Sequence, residues 1–215
     1  CSYLCIIFLK IMNSNKFYSV VVPVYNEEEN VLLLIDAIHK VLKDYQYELI
    51  LVDDFSTDKT VKNIKNIAHP NVVLIKLKRN YGESSALMAG IDYAKGDYII
   101  TMDGDMQNDP TDIPMMVNTM DLDESDLVIG QRQKRQDNLL RTFPSKVANF
   151  IIRTTTKLNV KDHGCALKVF EKETAKGLDL YGESHRFITL HAHIAGARIS
   201  EVPVKHHARQ FGVSK

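Results

Sequence analysis

The stretch FYSVVVPVYNEEENVLLLIDAIHKVL, Phe17 to Leu42, decides how the chain is read. Its first part is a β-branched run stopped by Pro23 and polar residues, the pattern of a buried parallel strand that empties into a loop. Glu27 to Glu29 then open a helix. Val31, Leu34, Ile35, Ile38, Val41 and Leu42 recur at helical spacing, and Lys40 and Lys43 near its end suit the helix macrodipole. The same unit repeats downstream. YELILVDD, from Tyr47, reads as a second strand, and STDKTVKNIKNIA, from Ser56, as a capped helix. NVVLIKL, from Asn71, is a third strand, GESSALMAGIDYAKG a helix stopped by Gly96, and DYIITMD, from Asp97, a fourth strand. The alternation predicts an α/β fold with one Rossmann-like, mostly parallel sheet and helices on both faces. Ligands of such sheets collect beyond the carboxyl ends of the strands, where Asp53, Asp54, Asp103 and Asp105 all fall.

With 215 residues and 45% hydrophobic content, the chain can bury the core of one large domain without disulfides or structural metal. Lys and Arg balance Asp and Glu, so no global field favours nucleic acid as a partner. Cys1, Cys5 and Cys165 form no CxxC pair, which fits a reducing compartment, and Cys165 reads as a small core residue. No apolar run reaches the roughly 18 to 20 residues of a membrane-spanning helix. Residues 1–16 start without Met and read as a non-native or disordered leader, so the catalytic-sized domain is expected over 17–215. The chain stops at Lys215 without tail or cap, and we expect a longer natural protein whose membrane helices lie beyond that point.

After SDLVIGQR the strand and helix rhythm loosens into a basic, partly helical section from Arg132 to Lys161, then CALKVF, a helix from about His185 to Gly196, and RISEVPVKHHARQFGVSK. No linker or repeat separates the halves, so the second half is expected to decorate the same domain.

The acidic stretch IITMDGDMQNDP, Ile99 to Pro110, leaves a strand and crowds Asp103, Asp105 and Asp109 together. Their mutual repulsion is unfavourable unless a cation sits among them. Two carboxylates on either side of Gly104 can reach one hard ion, Mg²⁺ or Mn²⁺, and Gly104 allows close backbone approach to a ligand. A calcium EF-hand loop is rejected, because its required Gly and Glu positions hold Asn108 and Pro114. Helix capping or a solvated turn is the structural alternative. The exit of the first strand carries VPVYNEEEN in place of the Gly-rich loop of a dinucleotide-binding enzyme.

PVYNE, VDDFSTDKT, RNYGESSALMAG, MDGDMQNDP and HARQFGVSK occur here in one fixed order. In this the chain, from about Phe17 to Lys215, resembles the family 2 glycosyltransferases, and within them the polyprenyl-phosphate type that includes dolichol-phosphate mannose synthases and bactoprenol glucosyltransferases. The resemblance implies a GT-A type fold and an inverting transfer of one sugar from a nucleotide sugar, UDP- or GDP-linked, to a polyprenyl phosphate. It implies that Pro23, Tyr25 and Glu27 line the nucleotide pocket, that Asp53 or Asp54 bonds the base or ribose, and that Arg79 and Asn80 match the family's RN step. Asp103, Asp105 and Gln107 match its metal-gathering DxDxQ, while Asn108-Asp109-Pro110 varies the common His-Pro-Pro ending. Arg132 stands as in the family's GxR, and Arg141 with Ser145 matches its acceptor-phosphate pair. Arg209 and Lys215 match R-x-x-G-x-S-K and are assigned to donor diphosphate or acceptor phosphate, with Gly212 letting that loop close.

A phosphate monoester has its second pKa near 6, so the acceptor arrives as a ready nucleophile and no general base is essential. Catalysis then consists of holding two anions in line, a task for arginines and a metal. The catalytic set expected is Asp103, Asp105, Arg132 and Arg141. Val147, Phe150, Ile151 and Leu158 are spaced as the apolar stripe of a basic helix, suited to an anionic membrane surface and equally to core packing. The partners expected are a nucleotide sugar, a polyprenyl phosphate and the cytoplasmic membrane surface, with no nucleic acid and a homo-oligomer left open. His191 and His193 diverge on their helix and are assigned no metal. His185-Arg186-Phe187 resembles a family motif, although Thr189-Leu190 replaces its usual Pro-Ala step, and its role stays open. A hydroxyl acceptor, which would need a carboxylate base, and a non-catalytic nucleotide-sugar scaffold are the competing functions.

Overall fold

The computed structural model describes residues 16–67, 69–133, 158 and 160–211. The leader before Lys16, Arg141, Ser145, Gly212, Lys215 and most of the expected basic amphipathic helix lie outside the described residues; Leu158 of its stripe is buried.

Among the described residues seven strands form one sheet in the order β3-β2-β1-β4-β6-β5-β7. They are β1 (Phe17–Val24), β2 (Gln46–Asp53), β3 (Val72–Lys76), β4 (Tyr98–Thr101), β5 (Leu127–Arg132), β6 (Lys168–Glu171) and β7 (Ile199–Val204). The helices are α1 (Val31–Leu42), α2 (Thr60–Asn66), α3 (Glu83–Tyr93), α4 (Ile113–Asp123), α5 (Lys172–Lys176) and α6 (Ile188–Ile194). All strand pairs are parallel except those of β6, which runs against both β4 and β5. The carboxyl ends of β1, β2, β4, β5 and β7 therefore share one edge with the amino end of β6. Near-continuous burial along β1, β2 and β4 means that both faces of the sheet are covered.

β1 is an interior strand, yet it contains Pro23. Its pairing with β4 ends at Val21 opposite Thr101, so the missing N–H of Pro23 interrupts no bond to β4. α1 begins at Val31, one turn later than the acids suggested, because Glu27 to Asn30 form a separate turn whose Glu27 carbonyl accepts the N–H groups of Asn30 and Val31. Its apolar stripe of Val31, Leu34, Ile35, Ile38 and Leu42 is buried as the spacing predicted.

At the opposite edge a buried polar knot sets where β4 starts. The Ser19 hydroxyl donates to Glu48 at 2.7 Å and accepts the Gly96 N–H at 2.8 Å, and Glu48 also accepts the Lys95 N–H at 2.8 Å. Gly96 does not stop the helix, which ends at Tyr93. It is glycine because a Cβ there would lie 2.6 Å from the Ser19 backbone nitrogen and 2.8 Å from the Phe17 carbonyl. This contact fixes the register that delivers Asp103 to the site edge. Gly96→Ala is expected to cost about 2 kcal/mol of stability, read as a lowered midpoint in thermal or urea unfolding, since backbone atoms cannot yield as side chains do.

Candidate active site

Directly after β4 the chain turns sharply through Asp103 to Asn108. Met106 takes a positive φ of 64°, and the buried Asn108 closes the turn by accepting the Asp103 N–H at 3.2 Å. Asp105 accepts the Gln107 N–H at 3.1 Å. Gly104 is also required by packing: a Cβ there would come within 3.0 Å of Val24 and 3.2 Å of the Pro23 carbonyl. This close approach to β1 seats the acidic turn on the end of that strand.

The charge at this turn is unbalanced. Burial, then the negative Glu83 and Asp105, push the Asp103 carboxyl up to about 7, more than Lys168 and Arg132 can offset. Burial likewise raises Asp105. Asp109 behaves oppositely: burial would raise it, but hydrogen bonds from Thr111 and His207 and the charge of Lys205 bring it down to about 2. Two desolvated carboxylates presenting only oxygen suit a hard divalent cation, and such ions commonly take one or two carboxylates and complete their shell with phosphate oxygens and water. Among the described residues no cluster of three His, Cys, Asp or Glu side chains could hold a metal unaided.

Arg209, beyond β7, reaches back over this turn. It donates to Glu27 at 2.7 Å and lies 3.6 Å from Asp105. Gln107 is bound to the same returning segment, donating its side-chain amide to the His207 carbonyl at 3.3 Å and accepting the His207 N–H on its backbone at 2.9 Å. The structure thus brings Glu27, Asp103, Asp105, Gln107 and Arg209 together, with Pro23 and Tyr25 half-buried at the end of β1.

Asp53 and Asp54 are both buried and already engaged. Asp53 accepts the Ser56 N–H at 3.3 Å, while Asp54 accepts the Tyr81 and Gly82 N–H groups at 2.7 and 2.9 Å. Their visible work is to build loops, not to cap a helix: Asp58 accepts the Thr60 N–H at the start of α2. Exposed Arg79 stacks over the Tyr81 ring at 4.6 Å, and Asn80 is exposed beside it.

Several contacts at the edge were not assigned from the sequence. Lys168, at the amino end of β6, is buried, and its ammonium donates to the Cys165 carbonyl. Burial lowers its pKa. His185 pairs with Ser84 at 2.9 Å and Glu83 at 3.4 Å, which joins the 184–187 turn to the start of α3; burial lowers its pKa too. Arg132, ending β5, is held by Asp162. No local motif marks Asp162, because its partner Arg132 lies 30 residues away in sequence.

The chain matches the family model described as Glycosyl transferase family 2 over residues 19–177. The chain belongs to glycosyl transferase family 2. It is 45% identical over 207 residues to a dodecaprenyl-phosphate galacturonate synthase from Rhizobium johnstonii, covering 92% of this chain and 61% of the relative. It is 40% identical over 202 residues to an undecaprenyl-phosphate 4-deoxy-4-formamido-L-arabinose transferase from Proteus mirabilis, covering 92% and 62%. The chain therefore spans a little over three-fifths of the length of these curated relatives. In solved structures, glucosyl-3-phosphoglycerate synthase from Mycobacterium tuberculosis shares the GT-A fold. Its complex with Mn²⁺ and UDP-glucose superposes with a TM-score of 0.76 at 19% identity, covering 97% of this chain and 76% of that one. Its complex with Mg²⁺ and UDP gives 0.78 at 18% identity, with the same coverage.

The buried charge carries a measurable cost. Because the folded carboxyl of Asp103 titrates near 7 against an ordinary 3.8, folding is progressively disfavoured as pH rises between those values and the full penalty applies above 7. In metal-free protein, Asp103→Asn is expected to raise the melting temperature more at pH 8 than at pH 5. An equal gain at both would contradict the assigned shift.

Proposed function

We propose that the protein transfers a single sugar from a nucleotide sugar to a polyprenyl phosphate at the cytoplasmic face of a membrane. The observation that carries this reading is the layout of the sheet edge. The acidic turn follows β4, Arg132 ends β5, and only β6 separates those strands. Two strand spacings amount to roughly 10 Å, room for a sugar ring between a diphosphate on one side and an incoming phosphate on the other. The name of the Rhizobium relative supports a prenyl-phosphate acceptor and suggests a uronic acid as one sugar to test.

On the donor side, Pro23, Tyr25, Glu27 and the loops built by Asp53 and Asp54 surround the nucleotide. Asp103, Asp105 and Gln107 would hold Mg²⁺ or Mn²⁺, which when bound neutralises the charge that builds on the departing diphosphate. Arg209, now paired with Glu27, would turn to that diphosphate together with Lys215. On the acceptor side, Arg132, Arg141 and Ser145 bind the lipid phosphate, whose dianion suits guanidinium forks. A phosphate oxygen attacks the anomeric carbon as the bond to the diphosphate oxygen breaks on the opposite face. The nucleoside diphosphate leaves, and the configuration inverts. The acceptor oxygen carries no proton, so the residues only orient and offset charge.

No helix among the described residues is long and apolar enough to cross a membrane. In this reading the lipid brings the reaction to the bilayer surface.

The test is incubation with undecaprenyl phosphate in detergent, Mn²⁺ and, in turn, UDP-galacturonic acid, UDP-glucose and GDP-mannose, followed by mass measurement of the lipid. One of these donors is expected to add a single sugar to the lipid phosphate, and Asp105→Ala to reduce the rate roughly 100-fold or more. Release of free sugar with all three, and no glycosylated lipid, would contradict the proposal.

A further inference from the structure

Arg132 is gripped from three directions by one carboxylate. Its Nε donates to Oδ2 of Asp162 at 2.7 Å, its Nη2 to Oδ1 at 2.8 Å, and its backbone N–H to Oδ2 at 3.2 Å. Both the rotamer and the plane of the guanidinium are thereby fixed, because a fork-on-fork pair tolerates little rotation. Asp162 is itself anchored. Its backbone N–H and that of Lys161 donate to Oε1 of Glu201 in β7, at 2.8 and 2.9 Å. Glu201 pairs with Ile129 in the β5–β7 ladder, and Arg132 pairs with Val204 three residues further along it. The chain of contacts closes on itself: β7 holds the 161–162 turn, the turn holds the side chain of Arg132, and β5 holds its backbone.

Such an arrangement is poorly explained by stability alone. The two side chains are only 12% and 7% exposed, and a pair this deep gives up in desolvation much of what it gains in attraction. Orientation is what it supplies. A guanidinium carries five N–H donors, and Asp162 takes two of them. The carboxylate also offsets the guanidinium's charge, so the pairing does not serve to attract an anion. It can set the direction from which an anion is met.

We propose that Asp162 is a positioning residue that aims Arg132 at the acceptor phosphate, with Glu201 as its anchor. The inference rests on the proposed role of Arg132 at the acceptor.

The test is steady-state kinetics of the full chain with undecaprenyl phosphate in detergent and whichever nucleotide sugar turns over, together with melting temperatures. Asp162→Asn removes the charge and one acceptor oxygen. It is expected to raise the KM for undecaprenyl phosphate roughly 10- to 100-fold while the donor KM stays put, the scale of loss that follows a misplacement of about 1 Å. Arg132→Ala should show the same split, and the double variant should be no worse than Arg132→Ala alone, since both act through one guanidinium. Should Asp162→Asn fail to fold, Asp162→Glu keeps the charge but moves it by one methylene, and the same KM split is expected. If Arg132→Ala raises the acceptor KM while both Asp162 variants behave as the parent, or if donor and acceptor KM change together, the positioning role is overturned. If Arg132→Ala itself leaves the acceptor KM unchanged, the acceptor reading falls instead.

Discussion

Asp103 and Asp105 repel each other, and the rest of the site follows from how the fold keeps them close with only partial countercharge of its own. The turn that carries them is pressed against the end of β1 through Gly104, closed by Asn108, and continued into a 3₁₀ turn, Pro110–Asp112, capped by Asp109. Rigid backbone contacts hold what electrostatics would push apart. Burial amplifies the conflict, since desolvation raises both carboxyl pKa values. Arg209 reduces it only partly, reaching Glu27 closely and Asp105 at 3.6 Å. In the proposed reading, a site held in this condition suits a cation that arrives with its ligand, the behaviour expected of a metal that shares its shell with a diphosphate.

The sheet divides the work along its edge. β1, β2 and β4 present the acids and the loops we assign to the donor, and β5 and β7 present Arg132 and its anchor. β6 lies between them, inverted, so its first residue points to the same edge as the last residues of its neighbours. That inversion places buried Lys168 between two charged groups, close enough to Asp103 and Asp162 for each to act on its ammonium. Preorganised charge of this kind needs no rearrangement when substrate charge develops.

Much of this was readable from the chain. β1, β2 and β4 are buried on both faces, so their sequences are continuous apolar runs that announce parallel strands, and the motif residues assigned to the donor sit at the exits of those runs. The helix expected from about His185 appears as a 3₁₀ turn, Ser184–Phe187, followed by α6. What the sequence concealed is relational. Nothing in CALKVF says that its strand runs backwards, since direction is set by which neighbours it joins. Asp162 looks like an ordinary turn acid, and its bond to Arg132 spans 30 residues. Asp53 and Asp54 read as ligand acceptors because carboxylates at strand ends commonly are; the Tyr81 and Gly82 amides that occupy Asp54 could be found only in three dimensions. Gly104 and Gly96 were recognised as special, but the atoms that require them belong to β1.

The measurement that bears most directly on this account is a crystal structure with Mn²⁺ and a nucleoside diphosphate, read by anomalous scattering at the manganese edge. We predict a single anomalous peak in contact with the carboxylates of Asp103 and Asp105 and with the diphosphate oxygens, and Arg209 released from Glu27. A peak elsewhere, with both carboxylates turned to solvent and Arg209 still paired to Glu27, would contradict it.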